Sequence, residues 1–162
     1  MLTVEDAREG ILSRVVPLSV ERVEIMAALG RVLAEPIVSR ATIPPWPNSS
    51  MDGYAVRSTD TNGIVELAVV GRIIAGAMPS RALGAGESMR IFTGAPLPEG
   101  ADAVVPQEDV AADGDRVTVR GRIAPGAYVR PAGEDVRTGD VVVQPGGVIG
   151  AAEVGLLATL GY

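Results

Sequence analysis

The chain has 162 residues, a formal net charge of −6 at neutral pH, a pI near 4.7 and a mean hydropathy of +0.27. It contains no cysteine, no histidine and no lysine, so disulfides, thiolate or imidazole metal sites, Ser-His-Asp triads, Schiff-base lysines and phosphate-loop lysines are all excluded within it. What remains is carboxylate, hydroxyl, arginine and backbone chemistry, in a chain too acidic to suit nucleic acid and without the roughly 18 to 20 consecutive apolar residues of a membrane span.

The first ten residues carry Glu5, Asp6, Arg8 and Glu9 where a secretory signal places basic residues before an apolar block, so the chain reads as cytoplasmic. Thr3 and Asp6 form a capping pair. Val4, Ala7, Ile11 and Val15 then recur at helical spacing before Pro17, which predicts a helix over 4–15. Over 20–38, Val23 and Ile25 alternate with charges as a strand does, and 27–30 resembles a helical turn closed by glycine. The expectation there is strand, turn, and an extended 31–39. Segment 44–60 holds Pro44, Pro45 and Pro47, which fix φ and remove donors; a stiff loop is expected, with no helix or central strand across it.

Beyond that loop, Val- and Ile-rich runs at 65–75, 88–92, 103–105, 117–122 and 141–143 are bounded by glycine or proline and read as strands. Asp113-Gly114-Asp115 between two of them is a hairpin signal. A helix is predicted over 151–160, with Val154, Leu157 and Ala158 on one face and Gly161 as its stop. These elements predict a mainly β chain with flanking helices (α+β). Its expected form is elongated and two-domain: a β-rich domain over 45–139 inserted into a discontinuous helix/strand domain made of 1–44 and 140–162, with proline-stiffened joins near Pro44 and Pro145.

Three stretches can carry chemistry. Asn48, Ser49, Ser50, Asp52 and Gly53 crowd polar groups between Trp46 and Tyr54, which is either a site displayed on a rigid loop or a stiffened domain connector. At Thr93-Gly94 a strand enters a glycine turn, where a hydroxyl beside backbone N–H groups either meets an anion or bonds the turn itself. The loop that follows presents Glu99 and Asp102. In Arg130-Pro131-Ala132-Gly133-Glu134-Asp135 a turn brings a guanidinium close to adjacent carboxylates, which suits Mg²⁺ or a polar substrate, or else forms a solvated ion pair. Asp109, Asp113 and Asp115 read as solvated surface.

Taken in order, Asn48-Ser49-Ser50-Met51-Asp52-Gly53-Tyr54-Ala55-Val56-Arg57, then Arg90-Ile91-Phe92-Thr93-Gly94-Ala95-Pro96-Leu97-Pro98-Glu99-Gly100-Ala101-Asp102, then Val129-Arg130-Pro131-Ala132-Gly133-Glu134-Asp135-Val136, resemble the N-terminal region of the molybdopterin molybdenumtransferases. That family includes bacterial MoeA and the E domain of gephyrin. The resemblance also takes in Ala28-Leu29-Gly30-Arg31 and Leu157-Ala158-Thr159-Leu160-Gly161, and so runs over essentially the whole chain.

The resemblance implies the last step of molybdenum cofactor assembly: adenylylated molybdopterin is hydrolysed with Mg²⁺, AMP leaves and molybdate is inserted into the dithiolene. Asp52, Thr93 and Asp135 fall on catalytic positions, Asn48, Ser50, Arg130 and Glu134 on substrate-binding positions, and Asp52 and Asp135 on metal positions, in a cleft at a homodimer interface. Family members continue into a pterin-binding α/β domain and a small β-barrel that this chain does not contain. The expectation is therefore the N-terminal half of the enzyme, inactive alone and completed by the missing C-terminal domains. Two other readings stand beside it: a non-catalytic dimerisation or scaffold module of gephyrin-like type, and a small-molecule carrier with an enclosed apolar pocket.

Overall fold

A computed structural model describes residues 2–16 and 18–162. In chain order the elements are α1 (Val4–Leu12), β1 (Ile37–Val38), β2 (Asn48–Ser49), β3 (Gly53–Val56), β4 (Ile64–Ile73) and β5 (Glu87–Ile91). They continue with β6 (Ala103–Pro106), β7 (Val110–Asp113), β8 (Arg116–Arg120), β9 (Val129–Arg130), β10 (Val141–Val143) and α2 (Ala151–Thr159). The chain is thus mostly β with two helices. It divides into two compact units, one of Met1–Ile37 with Val143–Tyr162 and the other Val38–Val142.

In the first unit α1 starts from the predicted capping box: the Thr3 hydroxyl accepts from the Asp6 amide at 3.1 Å while Asp6 accepts from the Thr3 amide. The helix is shorter than expected, ending at Leu12, and none of its residues is buried. The expected stop at Pro17 lies outside the described residues. The strand expected around Val23 and Ile25 does not form. Ile25–Ala28 is instead a 3-10 turn, closed by Gly30 at φ +78°. Charge alternation there had no partner strand to pair with, whereas the Met26-Ala27-Ala28 sequence suits a helical turn. Extended structure between 31 and 39 is limited to a Val32–Val148 bridge and β1, which pairs with β10. Ala28, Ile149 and Leu157 form the core of this unit, flanked by Ile25, Leu33, Ile37 and Val154. Gly161 at φ +78° ends α2, with the Tyr162 amide donating to the Leu157 carbonyl.

The second unit is built on a six-stranded sheet in the order β6-β3-β5-β4-β8-β7, antiparallel except between β4 and β5. The predicted hairpin joins β7 to β8, with Asp113 opposite Arg116. Successive residues of a strand face opposite ways. Tyr54, Val56, Ala103 and Val105 accordingly join Leu67, Val117 and Val119 in one cluster, and Ala55 and Val104 join Ile73, Leu83, Met89, Ile91 and Ala95 in another. Both faces of the centre of the sheet are covered.

This arrangement overturns the expectation that 44–60 excludes a central strand. β3 lies inside the sheet, beginning six positions after Pro47. Glycine at position 53 permits it: a Cβ built there would stand 2.1 Å from the Val105 carbonyl oxygen. The prolines themselves are accommodated outside the ladder, and the Ile43–Pro44 peptide bond is cis.

Candidate active site

The end of β5 and the residue preceding β3 are brought together by the antiparallel pairing of Gly53 with Ile91. That register sets Asp52 beside the turn at Thr93-Gly94, where Gly94 takes φ +80°. The Thr93 amide and the Thr93 hydroxyl both donate to Asp52 Oδ1, each at 2.8 Å. The amide bond first, the hydroxyl second, and then the nearby positive charge of Arg90 hold the Asp52 carboxyl below the ordinary aspartate range. Asp52 Oδ2 accepts no hydrogen bond from any described residue. The site therefore offers an ionised, oriented oxygen with solvent access.

A second cluster forms at β9. Arg130 Nε donates to Glu134 and its Nη2 to Asp135 Oδ1, the latter at 2.6 Å. The two carboxylates raise the guanidinium's proton affinity, the Glu134 hydrogen bond being the largest single cause and the Asp135 hydrogen bond the next. The Pro131-Ala132-Gly133 turn between them is anchored on the proline loop: the Gly133 amide donates to the Pro44 carbonyl at 2.9 Å and the Asp135 amide to that of Ile43 at 3.0 Å. This explains why the stiff loop and the Arg130 motif occur together. Each fixes the other's backbone.

β2 runs between the two clusters. Ser49 accepts from the Gly94 amide at 2.8 Å on one side and stands opposite Val129 on the other, while Asn48 stands opposite Arg130. Ser50 donates to the Tyr128 carbonyl through its amide and its hydroxyl, both at 3.0 Å. Asn48 is 8% exposed and its Oδ1 has no hydrogen-bond partner. Such an orphaned acceptor costs free energy unless something else satisfies it. Tyr128, at φ 54°, is the one non-glycine residue with positive φ among those described. Strain of that kind in a bulky residue is concentrated at functional sites.

The structure thus brings Asp52 to Thr93, and Arg130 to Glu134 and Asp135, with Asn48 on β2 and Ser50 directly after it. Asp52 and Asp135 are held in separate hydrogen-bond clusters, and no group of three His, Cys, Asp or Glu side chains capable of holding a metal occurs among the described residues. Asp102, expected as part of a displayed acidic loop, is structural instead, its two carboxylate oxygens taking the Ser58 amide and hydroxyl at 2.6 Å each. Residues not singled out from the sequence also enter. Arg90 donates to the Gly53 carbonyl at 3.1 Å and to Gln107, and its guanidinium lies 4.8 Å from the Phe92 ring centre. The alternation of Arg90 and Phe92 along a strand was the available signal.

Comparison with known proteins settles the family. The model for the MoeA N-terminal region (domain I and II) matches residues 2–161. The chain belongs to this family. It is 38% identical to the molybdopterin molybdenumtransferase of Haemophilus influenzae, with 99% of this chain and 40% of that protein aligned. It is 39% identical to molybdopterin molybdenumtransferase 1 of Mycobacterium tuberculosis, over 99% of this chain and 42% of the relative. Two solved structures of the molybdopterin biosynthesis MoeA protein from Pyrococcus horikoshii superpose with TM-scores of 0.82 and 0.85. Their identities are 37% and 36%, and they cover 87% and 99% of this chain and 38% and 42% of theirs. The MoeA-type region described here therefore spans about 40% of the length of the relatives it matches.

Proposed function

We propose that this MoeA-type region supplies one wall of an active site that inserts molybdate into adenylylated molybdopterin with release of AMP, and that it is inactive until the C-terminal domains of the enzyme complete the pocket. The supporting observation is Asp52, a carboxylate oriented by two donors from Thr93 and left with one unengaged oxygen. Mg²⁺, implied by the family, fits a donor set of that kind, because it takes one or two carboxylates and keeps water and substrate phosphate for its other positions. Asp52 would hold it, and it would supply charge neutralisation at the phosphoryl group, while Asp135 is held by Arg130 in a separate cluster. The chain's own work is positional. Thr93 holds Asp52 ionised and fixed, Arg130 is aimed by Glu134 and Asp135 for oxyanion recognition, and Asn48 and Ser50 tie the segment between the two clusters to 128–130.

A homodimer in the cytoplasm is part of this reading, with 1–44 and 140–162 as the dimerising domain. The exposed apolar side chains Leu2, Val4, Ile11, Leu18 and Val20 favour association, and equally support the alternative of a non-catalytic dimerisation or scaffold module. The test is a chimera in which this chain replaces the corresponding region of the Haemophilus influenzae relative. Molybdate-dependent AMP release that the truncated relative lacks supports the enzymatic reading. A folded, dimeric chimera with no AMP release favours the scaffold module.

A further inference from the structure

Most arginines whose contacts are resolved in this chain face carboxylates: Arg31 meets Glu21, Arg57 meets Asp60, Arg81 meets Glu87, Arg116 meets Glu66, and Arg130 meets Glu134 and Asp135. Arg72 and Arg90 do not. They are paired directly across the parallel strands β4 and β5, and Tyr54 is paired with Arg90 on the other side, so the three side chains form one row on one face of the sheet. Phe92, two residues beyond Arg90 and therefore on the same face, lies under both guanidiniums, 4.7 Å from that of Arg72 and 4.8 Å from that of Arg90. The Tyr54 ring lies 5.2 Å from Arg90.

Placing two like charges opposite one another in a sheet is destabilising, and aromatic faces offset only part of that repulsion. A local irregularity creates the pairing. Ala68 and Val69 are in register with Glu87 and Ser88, but the register shifts by one residue before Arg72 and Ile73 meet Arg90 and Ile91. In the unshifted register Gly71 would stand opposite Arg90. The bulge re-aims Arg72 onto the Phe92 ring, a use to which bulges near binding sites are put. The Arg72 side chain makes no hydrogen bond or ion pair among the described residues, so all five of its guanidinium donors are available; Arg90 keeps those not committed to Gly53 and Gln107.

We propose that Arg72 and Arg90, stacked on Phe92, form a subsite for a tetrahedral dianion, next to the carboxylate of Asp52. This deepens the function proposed above, since it lies at the same site. A planar guanidinium fork matches the oxygen spacing of such ions, and stacking on a ring holds the forks in place before the ligand arrives. The shared chemistry is that of a phosphate monoester and of molybdate. The Asp52 carboxylate opposes any anion bound beside it, so binding strengthens when Mg²⁺ is present.

The test is a titration of the ¹⁵N-labelled 162-residue protein with inorganic phosphate, AMP and molybdate in turn, at constant ionic strength set with chloride, reading the Arg72 and Arg90 Nε–H and Phe92 amide resonances. Saturable shifts with the dianions are expected, absent with chloride alone. Arg72→Gln or Arg90→Gln should weaken binding at least about tenfold, which corresponds to one charge-assisted hydrogen bond. Arg90→Lys, which keeps the charge and so spares the fold, should recover part of it. Arg120→Gln should change nothing. Stronger response to AMP identifies the phosphate ester as the ligand, and stronger response to molybdate identifies the oxometalate. Shifts that do not saturate, or that survive both Gln substitutions, overturn the subsite. Binding that obeys these expectations in a chain whose chimera releases no AMP sinks the enzymatic reading and leaves the subsite standing.

Discussion

Asp52 and Thr93, 41 positions apart in the sequence, share a single carboxylate oxygen: amide and hydroxyl of the threonine both point at Asp52 Oδ1 from 2.8 Å. The pairing depends on the β3–β5 register and on the glycine turn after Thr93.

Acidification should undo this relationship in a defined direction. Thr93 lowers the carboxyl's pKa in the folded state relative to a free aspartate near 3.9, so its contribution is fully present above that value and is lost as pH falls through the lower, folded one. The Thr93 amide chemical shift should be flat at neutral pH and titrate with a midpoint below that of a free aspartate. Asp52→Asn should abolish the titration. A midpoint above that of a free aspartate would contradict the assigned cause.

Gly53→Ala places a methyl 2.1 Å from the Val105 carbonyl oxygen, with Pro106 Cα also at 3.1 Å. Neither is a flexible side-chain end, and β3 is bonded to neighbours on both sides. The cost should reach about 3 kcal/mol or more, at the upper end of overpacking effects. Urea denaturation followed by circular dichroism measures it; a loss under about 1 kcal/mol would mean that the strand yields more easily than its packing indicates.

At the surface the opposite balance holds. Arg130, Glu134 and Asp135 are each substantially exposed, and exposed ion pairs add little stability. Glu134→Gln with Asp135→Asn should leave the melting temperature essentially unchanged while impairing AMP release in the chimera. A marked drop in melting temperature would assign the cluster a structural role instead.

Much of the sheet was legible because β4, β6 and β8 are valine- and isoleucine-rich runs bounded by turn formers, and because Asp113-Gly114-Asp115 is a strong hairpin signal. β3 was not. Gly53-Tyr54-Ala55-Val56 is covered on both faces and so shows no alternation, and three prolines upstream suggested a loop. The periodicity of α1 was legible, its exposure was not, because spacing shows a face without showing what covers it. Arg130, Glu134 and Asp135 could be grouped from a short turn. The meeting of Arg72 with Arg90 could not, since it depends on a one-residue register shift that leaves no mark in composition.

The most direct test of the account is the rate of molybdate-dependent AMP release by the chimera carrying Asp52→Asn, which keeps the side chain's shape and an acceptor for Thr93 but removes the charge. The account predicts a fall of at least about a hundredfold in kcat with dimerisation and melting temperature retained, the order expected when a charge-stabilising group at a reacting centre is removed. Release at the unsubstituted rate would contradict it.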